Sequence, residues 1–154
     1  MFELSEHILN ELELRASLIN QKCGALVTFE GWVRDFNEGK PVSRLDYQAY
    51  EELALSEGNK ICAEAIEKFG AENMRCVHRT GQLNLGEIAI WIGVVSVHRD
   101  AAFKACQYVI DEVKSRVPIW KREHYVDHDS GWVNCEQCAR KSFKSSGVSM
   151  SIGL

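Results

Sequence analysis

Proline is nearly missing from this chain: Pro41 and Pro118 are the only two among 154 residues. No Pro/Gly-rich linker, internal repeat or low-complexity block breaks the sequence. A single domain over residues 1–140 is therefore expected, followed by a serine-containing tail, 141–154, expected to be flexible. Long apolar runs are missing too. The longest, from Ile88 to Val95, is far too short to span a bilayer. Met1 leads into Phe2-Glu3-Leu4-Ser5-Glu6 without the basic start and apolar stretch of a signal peptide. A cytoplasmic protein with no membrane partner is the expectation. Positive charge is in deficit, with 18 Lys and Arg against 22 Asp and Glu, a net charge of −4. That balance argues against nucleic acid as a partner, which needs a broad cationic surface for counterion release. Any anionic ligand must be held by a local cluster of bases. The six cysteines sit mostly among apolar residues, and reduced thiols are expected rather than disulfides.

What is present reads as mixed helix and strand. Ser5 is placed to cap a helix to about Asn20, with Ile8, Leu9, Leu12, Leu14 and Leu18 as its apolar face. A long strand is expected from Gly24 to Asp35, a turn over Asn37–Pro41, and a returning strand over Val42–Tyr50 that makes an antiparallel pair with the first. Glu51–Phe69 has helical spacing, with Leu53, Ile61, Ala65 and Ile66 inward and Gly70 at its end. A strand near Met74–His78, a connection punctuated by Gly81 and Gly86, and a strong strand over Glu87–Val97 follow. Asp100 then caps a helix to about Arg116 along which Phe103, Cys106, Val109, Val113 and Val117 recur. Pro118 stops it, because its ring and missing N–H cannot continue the ladder. Ile119–Val126 reads as extended and Gly131-Trp132-Val133 as a last short strand. Interleaved helices and hairpin-like strands favour an α+β fold over a purely parallel sheet.

Several basic residues stand out against the acidic background. His98-Arg99 lies where a strand gives way to a helix N-terminus, a place suited to phosphate or carboxylate; a solvated Arg beside a packing His fits the spacing equally. Lys114 falls in the last turn of that helix, where a lysine also simply complements the macrodipole. In Val117–Glu123, alternation puts Ile119, Lys121 and Glu123 on one face and Trp120 and Arg122 on the other. A lysine in such half-apolar surroundings serves as acid, base or amine nucleophile, or merely guards a strand edge. His78-Arg79 is read as structural, since no helix start follows it. Cys135 and Cys138 have metal or redox spacing but no second ligand pair beyond His124 and His128, so no metal site is assigned. A small zinc-binding module on those cysteines is kept as a competing reading. No Walker loop, dinucleotide glycine fingerprint or nucleophile elbow occurs.

Taken in order, the motifs resemble the large, catalytic subunit of molybdopterin synthase. The likeness runs over about residues 24 to 133: Gly24-Ala25, Thr28-Phe29-Glu30-Gly31-Trp32-Val33-Arg34, Leu45-Asp46-Tyr47-Gln48-Ala49-Tyr50, His78-Arg79-Thr80-Gly81-Gln82-Leu83, Gly86-Glu87, Ser96-Val97-His98-Arg99-Asp100-Ala101-Ala102-Phe103, Lys114, Pro118-Ile119-Trp120-Lys121-Arg122-Glu123 and Trp132-Val133. The resemblance implies an α/β-hammerhead with an additional antiparallel β subdomain. It implies sulfur transfer to cyclic pyranopterin monophosphate, with no cofactor of the enzyme's own. The sulfur would come from a small ubiquitin-like sulfur-carrier subunit whose C-terminal Gly-Gly ends as a thiocarboxylate. Two large subunits would pair as a homodimer within a heterotetramer. Matched position by position, Lys114 and Lys121 are the implied catalytic lysines. Trp32, Val33, Arg34, His98, Arg99, Arg122 and Glu123 are implied to line the substrate pocket. The chain departs from some members after Trp132-Val133, where Asn134 to Cys138 lacks a further base. The last cation of the pocket would then come from Arg140, Lys141 or the dimer mate. A scaffold that binds the ubiquitin-like tail without turnover remains the alternative function.

Overall fold

The structure, a computed structural model, describes residues 1–135. The predicted tail, and with it Cys138, Arg140 and Lys141, lies outside the described residues.

One sheet carries most of the core. Its strands run in the order β1 (Phe2–Ser5), β5 (Asn73–Arg79), β7 (Ile88–Ser96) and β2 (Ala25–Trp32). The β1–β5 pair is parallel and the other two pairs are antiparallel. β7 is interior, which is why it reads as a continuous apolar run rather than an alternating one. On one face lie α2 (Glu51–Phe69) and α3 (Arg99–Arg116), burying Ile61, Cys62, Ala65, Ala102, Cys106, Val109 and Val113 against Met74, Cys76, Ile92 and Val94. On the other, Leu9, Leu14 and Leu18 cover Val77, Trp91 and Val95 around the short α1 (Glu11–Ala16). Cys23, Cys62, Cys76 and Cys106 are free thiols; burial pushes the Cys106 thiol up to about 11 and raises Cys62 and Cys76. Among the described residues no helix is long and apolar enough to cross a membrane.

A second sheet runs β3 (Phe36–Asn37), β4 (Lys40–Ala49), β8 (Ile119–Tyr125), β9 (Val133–Asn134), with β6 (Gly81–Asn84) also on β4. Val33, Val42, Leu45, Leu83 and Ala89 form its own small core. The molecule is thus α+β, as the pattern of elements indicated.

The structure corrects several local expectations. The predicted helix from Ser5 to Asn20 is instead a strand, a turn and six helical residues. Asn10, not Ser5, caps it, its side chain accepting from the Leu12 and Glu13 amides. Ser5 accepts from the His7 amide and ends β1, whose Phe2 is drawn into the core. The long first strand does not pair with its successor. It pairs with β7, and its bulge at Gly31/Trp32 turns the chain toward the second sheet. The hairpin predicted at 37–41 does form, but between β3 and β4. The Gly81/Gly86 connection contains β6. His98 is the N-cap residue of α3 and Asp100 sits in the first turn, ion-paired with Lys104. Leu53 and Phe103 point outward.

Gly58 is one glycine whose lack of a side chain matters. A Cβ there would stand 2.1 Å from Phe2 Cγ, so β1 reaches α2 only over glycine. Gly58→Ala is expected to cost about 1–3 kcal/mol through overpacking. Urea denaturation checks this, and a midpoint equal to wild type would show that Phe2 repacks freely.

Candidate functional site

Between the two sheets, at the C-terminal end of α3, lies a cavity of about 810 Å³. Its floor is apolar, including Phe29, Ile90, Ile110, Val113 and Ile119, and polar groups converge on it from both sheets and from α3. Lys114, an exposed residue, reaches it from the last turn of α3. Lys121 and Glu123 reach it from β8, on the shared face that alternation indicated. Arg34 and Trp32 stand at its mouth. The Arg34 guanidinium lies over the Phe36 ring at 5.5 Å, and the Trp32 indole N–H donates to Glu30 at 2.9 Å. Trp32 is 64% exposed, a large apolar surface left open beside a charged cavity.

Lys121 Nζ is 2.8 Å from Glu123 Oε1, and only 18% and 8% of the two side chains is exposed. Glu123 Oε2 accepts from Asn37 Nδ2 at 2.8 Å and from the Tyr125 hydroxyl. Burial disfavours ionised Glu123, but Lys121, Tyr125 and Asn37 outweigh it and hold the carboxyl below its ordinary range. The same contact, added to burial, raises the Tyr125 phenol. Alternation along β8 puts Glu123 on the same face as Lys121, and the structure makes that carboxylate its ion-pair partner.

The other face of β8 is separately engaged. Arg122 donates to Asp46 at 2.9 Å and stacks over Trp132 at 4.8 Å, so it lies outside the cavity. His124 bridges Asp46 (2.6 Å) and Asp129 (2.8 Å) with its two ring nitrogens. Burial opposes ionisation of Asp46, yet the Arg122 and His124 bonds prevail and lower its pKa. His128 stacks on Tyr125. Both histidines considered beside the cysteine pair are therefore held in other contacts. Cys135 lines the cavity, and no group of three metal-binding side chains occurs among the described residues.

Two expected site residues lie far away within one chain. His98 and Arg99 are exposed at the start of α3. At 1.5 Å per residue, Arg99 is about 22 Å along the helix from Lys114. Val33 is 3% exposed; its backbone bonds Glu87 and Gly86, so it supports the wall rather than lining it.

His78, read from the sequence as structural, also lines the cavity. His78 follows Met74 and Cys76 at every second position of β5, which carries it along the helix-covered face to the cavity. Its ring meets Tyr47 edge-on at 4.9 Å. Nδ1 is 2.7 Å from the Arg79 carbonyl, so it carries the donated proton and Nε2 holds the lone pair. Burial above all, with Lys114 pushing the same way against the Arg79 bond, drops its pKa to about 4. The signal was its place in the strand's alternation. Arg79 is structural as read: 3% exposed, it bonds Glu87, Glu6 and Gln82.

The MoaE protein family model matches residues 4–116. A curated relative, the molybdopterin synthase catalytic subunit of Synechococcus elongatus, is 44% identical over 126 residues, spanning 80% of this chain and 76% of that one. The crystal structure of molybdopterin synthase from Staphylococcus aureus superposes with a TM-score of 0.81 at 36% identity, covering 86% of this chain and 96% of that chain. A complex of subunits 1 and 2 of molybdopterin-converting factor from Helicobacter pylori shares the fold, with a TM-score of 0.69 at 20% identity over 83% and 87% of the two chains.

Proposed function

This chain belongs to the MoaE protein family, and from that premise we propose that it is the catalytic subunit of a molybdopterin synthase. It transfers sulfur from the C-terminal thiocarboxylate of a small ubiquitin-like subunit to cyclic pyranopterin monophosphate, building the dithiolene of molybdopterin. The observation that carries this reading is the meeting of Lys114 and Lys121, from two separate elements, on one cavity with Arg34 at its mouth. Sulfur attack on a pterin side-chain carbon needs a neutralised phosphate, a protonated leaving oxygen and a thiocarboxylate held close. Arg34 supplies charge for the phosphate. Lys114 holds the partner's C-terminus. Lys121, paired with Glu123, supplies the proton.

The partner reading is supported by the like-folded Helicobacter pylori protein, which occurs as a complex of two subunits. His98 and Arg99 bind substrate only if they act in a second copy's cavity, since about 22 Å of helix separates them from Lys114 in their own. That favours a homodimer at the centre of a heterotetramer. The four-stranded sheet with its helices, beside the antiparallel second sheet, fits the α/β-hammerhead with an added β subdomain. Residues 1–140 are read as one domain, working in the cytoplasm. The test is reconstitution: purified chain, thiocarboxylated small subunit and cyclic pyranopterin monophosphate are expected to give dithiolene, two sulfur-carrier tails consumed per product. Failure to consume the thiocarboxylate would overturn the reading.

A further inference from the structure

Glu123 is held by three side-chain partners. Its two side-chain oxygens are divided: Oε1 meets Lys121 Nζ, and Oε2 takes both Asn37 and Tyr125. Asn37 Nδ2 also donates to the Tyr125 hydroxyl at 3.1 Å, closing the triangle. The Glu123 backbone is fixed as well. Its amide donates to Ser130 Oγ, and the Ser130 amide donates back to its carbonyl, each at 2.8 Å. Tyr125 is fixed in turn, its amide donating to the His128 carbonyl at 2.8 Å while the His128 ring stacks on it at 4.8 Å. The clamp thus joins three segments: the β3–β4 hairpin, β8 and the loop after it.

We infer that Asn37 and Tyr125 are positioning residues of the transfer reaction, which saturate one oxygen of Glu123 so that the other keeps Lys121 an ammonium. Two hydrogen bonds to a carboxylate stabilise its charged form, and the carboxylate stabilises the adjacent cation. In the chemical step the thiocarboxylate sulfur forms a C–S bond to the pterin side-chain carbon as its C–O bond breaks, and the Lys121 Nζ–H bond breaks as an O–H bond forms on the departing oxygen. Lys121 is left a neutral amine and is reprotonated from water. The other charges around Glu123 and Tyr125 are Lys114 and Arg34 across the cavity, with Glu38 and Lys40 on the hairpin. This inference rests on the sulfur-transfer reading above.

Its consequence is a pH signature. Burial opposes ionised Glu123 while Lys121, Tyr125 and Asn37 hold its pKa down, so the carboxylate persists as pH falls until that lowered pKa is reached. Removing a donor raises the pKa, and the charge is lost at higher pH. The experiment follows single-turnover dithiolene formation with thiocarboxylated small subunit across pH for wild type, Tyr125→Phe and Asn37→Leu. Each variant is expected to move the acid limb up by about one unit. Rates on that limb should fall roughly tenfold, with the alkaline limb unmoved and pterin KM within about twofold. Thermal melting at each pH accompanies the rates, and Asn37→Leu decides the matter should Tyr125→Phe fold poorly. A rate loss equal at all pH values, or none, overturns the inference while leaving sulfur transfer intact. Absence of product from wild type overturns the sulfur-transfer reading, and the inference with it.

Discussion

Lys121→Ala is expected to lose dithiolene formation by about a thousandfold, in the range attributed to a positioned proton donor, while the complex still assembles. The side chain is largely enclosed and faces the cavity, and its ammonium is 2.8 Å from a carboxylate that Asn37 and Tyr125 fix in place. Truncation removes the proton source and leaves Glu123 a buried, poorly compensated charge. Two effects then act in the same direction: no acid for the leaving oxygen, and an anion facing an anionic substrate. Stability falls less than activity, because Asn37 and Tyr125 still bind the carboxylate. Rapid-quench product analysis separates this from a folding defect when size-exclusion chromatography shows the complex intact. Lys121→Arg keeps the charge but loses the readily given proton, so it is expected to keep assembly and substrate binding without turnover.

Acid is expected to destabilise the protein through His78. Its folded pKa of about 4 lies below the ordinary 6.5. The neutral ring is favoured in the fold, so its contribution is fully present above about pH 6.5 and is lost as pH falls toward about 4. A shift of that size corresponds to roughly 3 kcal/mol. Urea midpoints measured down this pH range should fall more steeply for wild type than for His78→Gln, which cannot be charged. Parallel curves for the two would mean that the buried ring is not the acid-labile group. Because Lys114 contributes to the depressed pKa, Lys114→Met should soften the same slope.

The sequence carried α2, α3 and the interior strand almost whole, but not the short α1. Helical spacing located α2 with Gly70 at its end, and Pro118 marked the end of α3, because those signals are local and their physics is short-range. Alternation also put Lys121 and Glu123 on one face of β8 and Arg122 on the other, which the cavity and the Asp46 pair bear out. Strand partners were another matter. Phe2–Ser5 pairs with a strand more than seventy residues away, as the Phe2–Cys76 register shows. Nothing in a five-residue window distinguishes such a strand from a helix start.

The site was legible in part for the same reason. Lys114, Lys121, Arg34, Trp32 and Glu123 converge on the cavity, whereas His98 and Arg99 sit at the opposite end of α3. Sequence order places them close; a rigid helix of eighteen residues keeps them apart. The clamp on Glu123 was invisible because Asn37 lies 86 residues from it and enters through a two-residue strand. His78 reads as structural because no helix start follows it, and its place beside the cavity emerges only once β5 is set against the second sheet.

The most direct measurement is the mass of the small subunit's C-terminus after a single turnover with cyclic pyranopterin monophosphate. With the wild-type chain the thiocarboxylate should become a carboxylate in step with dithiolene formation, and with Lys121→Ala neither should change. An intact thiocarboxylate in the wild-type reaction would reduce the chain to a scaffold for the tail. Equal conversion by wild type and Lys121→Ala would contradict the assignment of the proton to Lys121.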